Sequence, residues 1–320
     1  MTNTRSLQNN KKLKSLFSWL IKLFGVSLFI FILKDVDWNI CLKEMSKISI
    51  ASFLTALVMI QLGYLLKAKR WQIILTHYKV NIPILKLYEI FSIGTFLGVI
   101  TPGKIGDFGR LFYIKKSIEF KKGLSSLFID RIFDLICLGI LGFFSIIYFE
   151  TNFKISDSTA IHFGGEKKFL FVLLLLLIVT VYMILRKKII SIFKIILDGF
   201  KNFISFLKQL ILTLISMILI YGAFIVISYD MNIGINHLGL FFGIILIGLL
   251  SLIPITILGI GIREFSMVYL FELYGIGFDK AIAMALIILV IQLISTIPGI
   301  VWFSKNPLKI SNIKRQSSLP

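Results

Sequence analysis

Cysteine, histidine and carboxylate are all scarce in this chain. Cys41 and Cys137 are the two cysteines among 320 residues, too few for a disulfide framework. His77, His162 and His237 are scattered without metal-ligand spacing, so no metal is expected. There is no hydrolase elbow, zinc motif or dinucleotide fingerprint. Gly98-x-x-x-x-Gly103-Lys104 resembles the opening of a phosphate-binding loop. Ile105 follows it, however, and no strand precedes it, which excludes a nucleotide site. No cofactor is expected. Acidic residues number 16 against 35 Lys and Arg, a net charge of +19. In a soluble protein that balance suggests nucleic acid. Here 57% of the residues are apolar, 30 are Phe and the mean hydropathy is +0.92, which marks an all-α integral membrane protein. Its basic residues cluster between apolar runs, as cytoplasmic loops do, so nucleic acid is not expected as a partner.

One stretch stands apart. At Thr101-Pro102-Gly103-Lys104-Ile105-Gly106-Asp107-Phe108-Gly109-Arg110 an apolar run gives way to polar, charged and glycine residues. The approach from Ile90 to Ile100 is short of the roughly 20 residues a crossing takes. The expectation is a re-entrant hairpin broken at Thr101 to Gly103. Broken backbone at membrane depth is tolerated only where it is buried in protein or lines a watery cavity, so the break points to a site. Thr101 before Pro102 suits a helix start, a hydroxyl cap with proline at the first helical position. The returning half-helix would direct free N–H groups and its positive end at an anion. Lys104 and Arg110 would pair with phosphate, the guanidinium bidentately. Gly94-x-x-x-Gly98 reads as a close helix contact.

A shift of 153 positions places Gly106 on Gly259 and Arg110 on Arg263. Around them Pro254, Thr256, Gly259, Gly261, Arg263 and Glu264 repeat the design of proline, hydroxyl, glycines, arginine and carboxylate. The reading is therefore six full spans plus two re-entrant hairpins at about 88–112 and 240–278, or eight spans if hairpins are counted. The spans are placed near 16–33, 48–66, 124–149, 169–185, 210–229 and 281–303, between a basic segment at 1–15 and a basic tail at 304–320. Lys67, Lys69, Arg70 and Trp71 read as a headgroup-level anchor. With a cytoplasmic N-terminus, cytoplasmic segments hold 26 Lys and Arg and the opposite loops 8, which also puts the C-terminus inside. Three crossings separate the hairpins, so the repeat is inverted.

Asp130, Arg131 and Asp134 put three charges on one crossing helix. Two readings stand. They anchor the helix at the interface, or they form a charge network beside Asp107 and Arg110. Asp107 with Arg110, and Arg263 with Glu264, likewise either close hairpins as local ion pairs or take part in binding.

The order Thr101-Pro-Gly-Lys-Ile-Gly-Asp-Phe-Gly-Arg110, Asp130-Arg131-x-x-Asp134 and Pro254-x-x-x-x-Gly259-x-Gly261-x-Arg263-Glu264 resembles the lysylphosphatidylglycerol synthase transmembrane region, or flippase-like domain family. The resemblance implies movement of a phosphate-bearing lipid across the cell membrane, such as an aminoacylated phosphatidylglycerol or a polyprenyl-linked lipid. It implies lipid contacts at Thr101, Gly103, Lys104, Arg110 and Arg263, breaks at Pro102, Gly106, Pro254, Gly259 and Gly261, and charges at Asp107, Asp130, Arg131, Asp134 and Glu264. In fused relatives a soluble domain makes the aminoacyl lipid; about 17 residues follow Phe303 here, so no lysyltransferase activity is expected. The rival to a translocase is a non-transporting scaffold for a separate glycosyltransferase or other lipid-modifying enzyme.

Overall fold

The computed structural model describes residues 27, 29–153, 203–251 and 259–307, and every regular element among them is helical. These are α1 (Trp38–Ser46), α2 (Ile50–His77), α3 (Ile84–Val99), a 3-10 helix (Pro102–Gly109), α4 (Arg110–Ile114), α5 (Phe120–Asn152), α6 (Phe203–Asp230), α7 (His237–Leu250), α8 (Ile262–Glu272), α9 (Phe278–Ser295) and α10 (Ile297–Lys305). Four stretches are long and apolar enough to cross a membrane: α2, α5, α6 and the joined α9 and α10. The chain is a multi-pass membrane protein. The expected crossing at 169–185, most of the one at 16–33, and the basic segments at 1–15 and 308–320 lie outside the described residues.

Local chemistry sets several boundaries. Asp37 caps α1, its Oδ1 accepting from the Asn39 and Ile40 amides at 2.9 and 3.3 Å. Much of the segment between the spans expected near 16–33 and 48–66 is thus this helix. Ser49 caps α2, accepting from the Ser52 amide at 3.1 Å. α2 then continues eleven residues beyond the expected end at Leu66, because its basic end finds carboxylate partners instead of water.

Long-range bonds define the two ends of the bundle. At one end the Ser49 amide donates to Asp230 at 2.8 Å, the Asp37 amide to Asp279 at 2.9 Å, and Lys280 to the Asn232 carbonyl at 2.9 Å. The starts of α1, α2 and α9 therefore meet the end of α6. α7 begins at that end, running antiparallel to α5 with Tyr148 against Phe242 and Leu249 against Gly142. α8 returns there, bringing Tyr274 against Phe153 and Gly239. The α3 hairpin opens at the other end, between the close of α2 and the start of α5, where Leu111 meets Gly123 and Phe108 meets Phe128.

The last crossing touches both hairpins. On α9, Gln292 accepts from Arg263 of α8. On α10, Gly299 lies so close to the Ser92 carbonyl of α3 that a Cβ would collide with it, and Trp302 and Phe303 pack on Tyr88 and Phe96. Large apolar side chains such as Ile50, Leu85, Phe143 and Phe203 face outward, as a lipid-solvated surface allows.

Candidate functional site

α3 ends at Val99, and the chain continues through a 3-10 helix and the short α4. Pro102–Gly109 forms a 3-10 helix, whose three residues per turn place Gly106 and Gly109 on one side and Asp107 and Arg110 on another. The glycine side admits the facing arm. A Cβ on Gly106 would strike the Leu97 carbonyl oxygen, and one on Gly94 would strike the Arg110 side chain. Gly94 and Gly98 are therefore contact points for their own hairpin's return, not for a separate helix. Thr101 does not cap in the usual way. Its hydroxyl donates to the Leu97 carbonyl at 2.8 Å and accepts from the Gly106 amide at 2.7 Å, stapling the two arms. Lys104 sits in the left-handed region with φ 56° and an exposed side chain.

The charged side of this 3-10 helix meets α5 and α2. Arg110 is fully buried, its guanidinium 4.8 Å from the ring centres of both Trp71 and Phe91. Its Nη2 donates to Asp107 Oδ2 at 2.7 Å and to Asp130 Oδ2 at 3.1 Å. Arg70, also fully buried, takes the other side of Asp130, with Nε and Nη2 on Oδ1 at 2.8 and 2.5 Å. Its Nη1 donates to Asp134 Oδ1 and to the Thr213 hydroxyl, each at 2.8 Å. Lys67 lies 3.0 Å from Asp134 Oδ1. Arg131 closes the ring by pairing with Asp107 Oδ2 and, at 3.4 Å, Asp134 Oδ2. Lys104 lies within electrostatic reach of Lys67, Arg131 and Asp134.

Charges this deep persist because each carboxylate is shared by cations from different helices; an isolated ion there costs several kcal/mol. One group is left over. Arg110 Nη1 is buried with no hydrogen-bond partner among the described residues. The accessible face of the cluster consists of Lys104, Arg131 at 32% side-chain exposure, and Lys67 and Asp134 at 15% each. Arg70 lies twenty positions after Ile50 on the helix, about 30 Å, so the cluster lies about one hydrocarbon thickness from the opposite end of α2.

The second cluster is smaller. Gly261, with φ 92°, precedes α8, and Glu264 Oε2 turns back to accept its amide at 2.6 Å. Glu264 Oε1 takes Arg263 Nε and Nη2 at 3.1 and 2.6 Å, while Arg263 Nη1 reaches Gln292 Oε1 at 3.1 Å. Gly259 also has positive φ, 77°, consistent with a turn only glycine adopts readily. Pro254 and Thr256 lie outside the described residues. The ion pairs of the two clusters share no residue, and no His, Cys, Asp or Glu group able to hold a metal occurs among the described residues.

The sequence reading missed Lys67 and Arg70 as members of the network. Trp71, read with them as an interfacial anchor, is instead fully buried against Arg110, its indole N–H donating to Ser126 at 3.2 Å. The available signal was their spacing. Lys67, Arg70 and Trp71 share a helix face with small Ala68 beside them, which suits a packed surface better than a solvated one.

A family model described as the lysylphosphatidylglycerol synthase TM region matches residues 16–299. The chain is similar to a UPF0104 membrane protein of Methanocaldococcus jannaschii, 26% identical over 63% of this chain and 90% of that protein. It is similar also to a UPF0104 membrane protein of Pyrococcus horikoshii, 27% identical over 41% of this chain and 40% of that one. No solved structure matches.

Proposed function

The chain belongs to the lysylphosphatidylglycerol synthase transmembrane region family, and on that premise we propose that it is a lipid translocase of the cell membrane. Its cargo is a phosphate-bearing lipid, an aminoacylated phosphatidylglycerol or a polyprenyl-linked lipid. Both termini face the cytoplasm, and the two hairpins form an inverted repeat that opens to either side in turn.

The observation that carries this reading is the cluster at the α3 hairpin, where, among the described residues, Lys67, Arg70, Lys104, Arg110 and Arg131 face only Asp107, Asp130 and Asp134. Three carboxylates neutralise three of the cations. The excess remains on a broken segment, where an anionic phosphate fits. Arg263 of the opposite hairpin, held by Glu264 and by Gln292 of the last crossing, supplies the corresponding cation on the second side. The last crossing packs on both hairpins and so transmits a shift in one to the other.

The test is leaflet exposure of labelled anionic lipids in vesicles containing the purified protein. Wild type is compared with Lys104→Ala combined with Arg131→Gln. Movement by wild type and its loss in the variant are expected. If neither moves any lipid offered, polyprenyl phosphates included, the translocase reading fails and a scaffold for a separate lipid-modifying enzyme takes its place.

A further inference from the structure

An aminoacylated headgroup and a simple phosphate headgroup make opposite demands on a charged site. The first brings an ammonium that needs a free carboxylate; the second brings only negative charge. The coordination of the three aspartates decides between them. Asp130 Oδ1 is held by Arg70 and Oδ2 by Arg110. Asp134 Oδ1 is held by Arg70 and Lys67, and Oδ2 by Arg131. Asp107 Oδ2 is held by Arg110 and Arg131, while its Oδ1 lies against Gly94 of the facing arm. Five of six carboxylate oxygens already carry a cation, and the sixth is turned into the hairpin.

The unmatched groups all have the other sign. Lys104 makes no ion pair among the described residues and is exposed. Arg110 Nη1 is a buried donor with no acceptor among the described residues. Among the described residues, five cations against three carboxylates leave two positive charges without counterions. A phosphomonoester carries about −1.5 to −2 at neutral pH, and a phosphodiester one negative charge.

We propose that this cluster, read as the headgroup site of the translocase, selects a lipid phosphomonoester over phosphodiester and aminoacyl phosphodiester headgroups. The doubly charged phosphate neutralises the excess, with the accessible Lys104 and Arg131 as its direct partners. A lysyl headgroup adds cations where none can be paired.

Binding tests this without transport. The purified full-length protein in a neutral detergent is titrated with phosphatidic acid, phosphatidylglycerol and lysylphosphatidylglycerol, read by native mass spectrometry, with inorganic phosphate as a soluble competitor. Phosphatidic acid binds about tenfold or more tighter than phosphatidylglycerol, as one additional unit charge near two cations implies, and the lysyl lipid binds weakest. Lys104→Gln lowers the phosphatidic acid preference and gains nothing for the lysyl lipid. Arg131→Gln lowers it too, but frees one acceptor position each on Asp107 and Asp134 for an ammonium and so raises lysyl-lipid binding. Both side chains are accessible, and unchanged melting temperatures verify that the variants fold. Equal or tighter binding of the lysyl lipid by wild type overturns the proposal. Inorganic phosphate binding as tightly as phosphatidic acid overturns it also, making soluble phosphate the occupant. Transport of the lysyl lipid with the binding order reversed removes this proposal and leaves the translocase; the expected order without any transport removes the translocase and leaves the site.

Discussion

Arg110 and Arg70 hold the two oxygens of one carboxylate: Asp130 Oδ2 faces Arg110 Nη2 at 3.1 Å while Oδ1 takes Arg70 at 2.5 and 2.8 Å. A residue at the edge of the hairpin is thereby tied to the end of α2 through a residue on α5. Without Asp130 the 3-10 return would present a buried guanidinium to another buried guanidinium. The hairpin is held at this end by charge, and along its arms by glycine contact.

Removing the shared carboxylate is expected to cost more than removing a cation at the rim. Asp130→Ala leaves two fully buried arginines short of a counterion, and loss of one member of a buried pair costs about 3–5 kcal/mol. Arg131, a third exposed, is worth about 1 kcal/mol or less. Unfolding by SDS titration of the purified variants checks the order. Equal losses for Asp130→Ala and Arg131→Gln would show that Asp130 is not the keystone.

Glycine spacing gives a second contrast. Gly106→Ala drives a methyl group into the Leu97 carbonyl, so the arms must part, at about 1–3 kcal/mol for overpacking. Gly139→Ala on α5 meets nothing within 4 Å and should gain up to about 1 kcal/mol of helix propensity. Melting temperatures are expected to move in opposite directions, and lipid transport to fall only in Gly106→Ala.

The break at Thr101-Pro102 and the local pairs Asp107 with Arg110, Arg131 with Asp134 and Arg263 with Glu264 are legible in the sequence, because each lies within one helical turn. The 3-10 geometry follows from glycine at every third position, a period that competes with the 3.6 of an α-helix and is easily overlooked. Arg70 and Lys67 are a different case. Their partners are sixty or more residues away on α5, and nothing local separates a paired cation from a solvated one. Trp71 misleads for the same reason: a tryptophan next to basic residues suits an interface until Arg110 is found on its face.

Orientation has a direct check. Asn39 on α1 and Lys116 after α4 are exposed and lie at opposite ends of the bundle. With cytoplasmic termini, a membrane-impermeant maleimide should label Asn39→Cys on intact cells and Lys116→Cys only after permeabilisation. The native thiols form a silent background. Both are buried, and burial, with the Asp279 charge nearby, pushes the Cys41 thiol above its ordinary range, so little of the reactive thiolate is present at neutral pH. The reverse labelling pattern would invert the topology.

The second hairpin allows a test of whether Glu264 acts through Arg263. Glu264 serves two partners at once, the Gly261 amide that opens α8 and the Arg263 guanidinium. Glu264→Ala therefore removes a cap worth about 1 kcal/mol and also strands a buried cation, whose remaining bond is to Gln292. Glu264→Gln keeps one acceptor and should lose less. Replacing both partners, Glu264→Ala with Arg263→Leu, removes the stranded charge, so the double variant is expected to be more stable than Glu264→Ala alone although it lacks one more native side chain. An additive double variant would mean that Arg263 is solvated without Glu264, and that the second hairpin is held by its glycines and not by its ion pair.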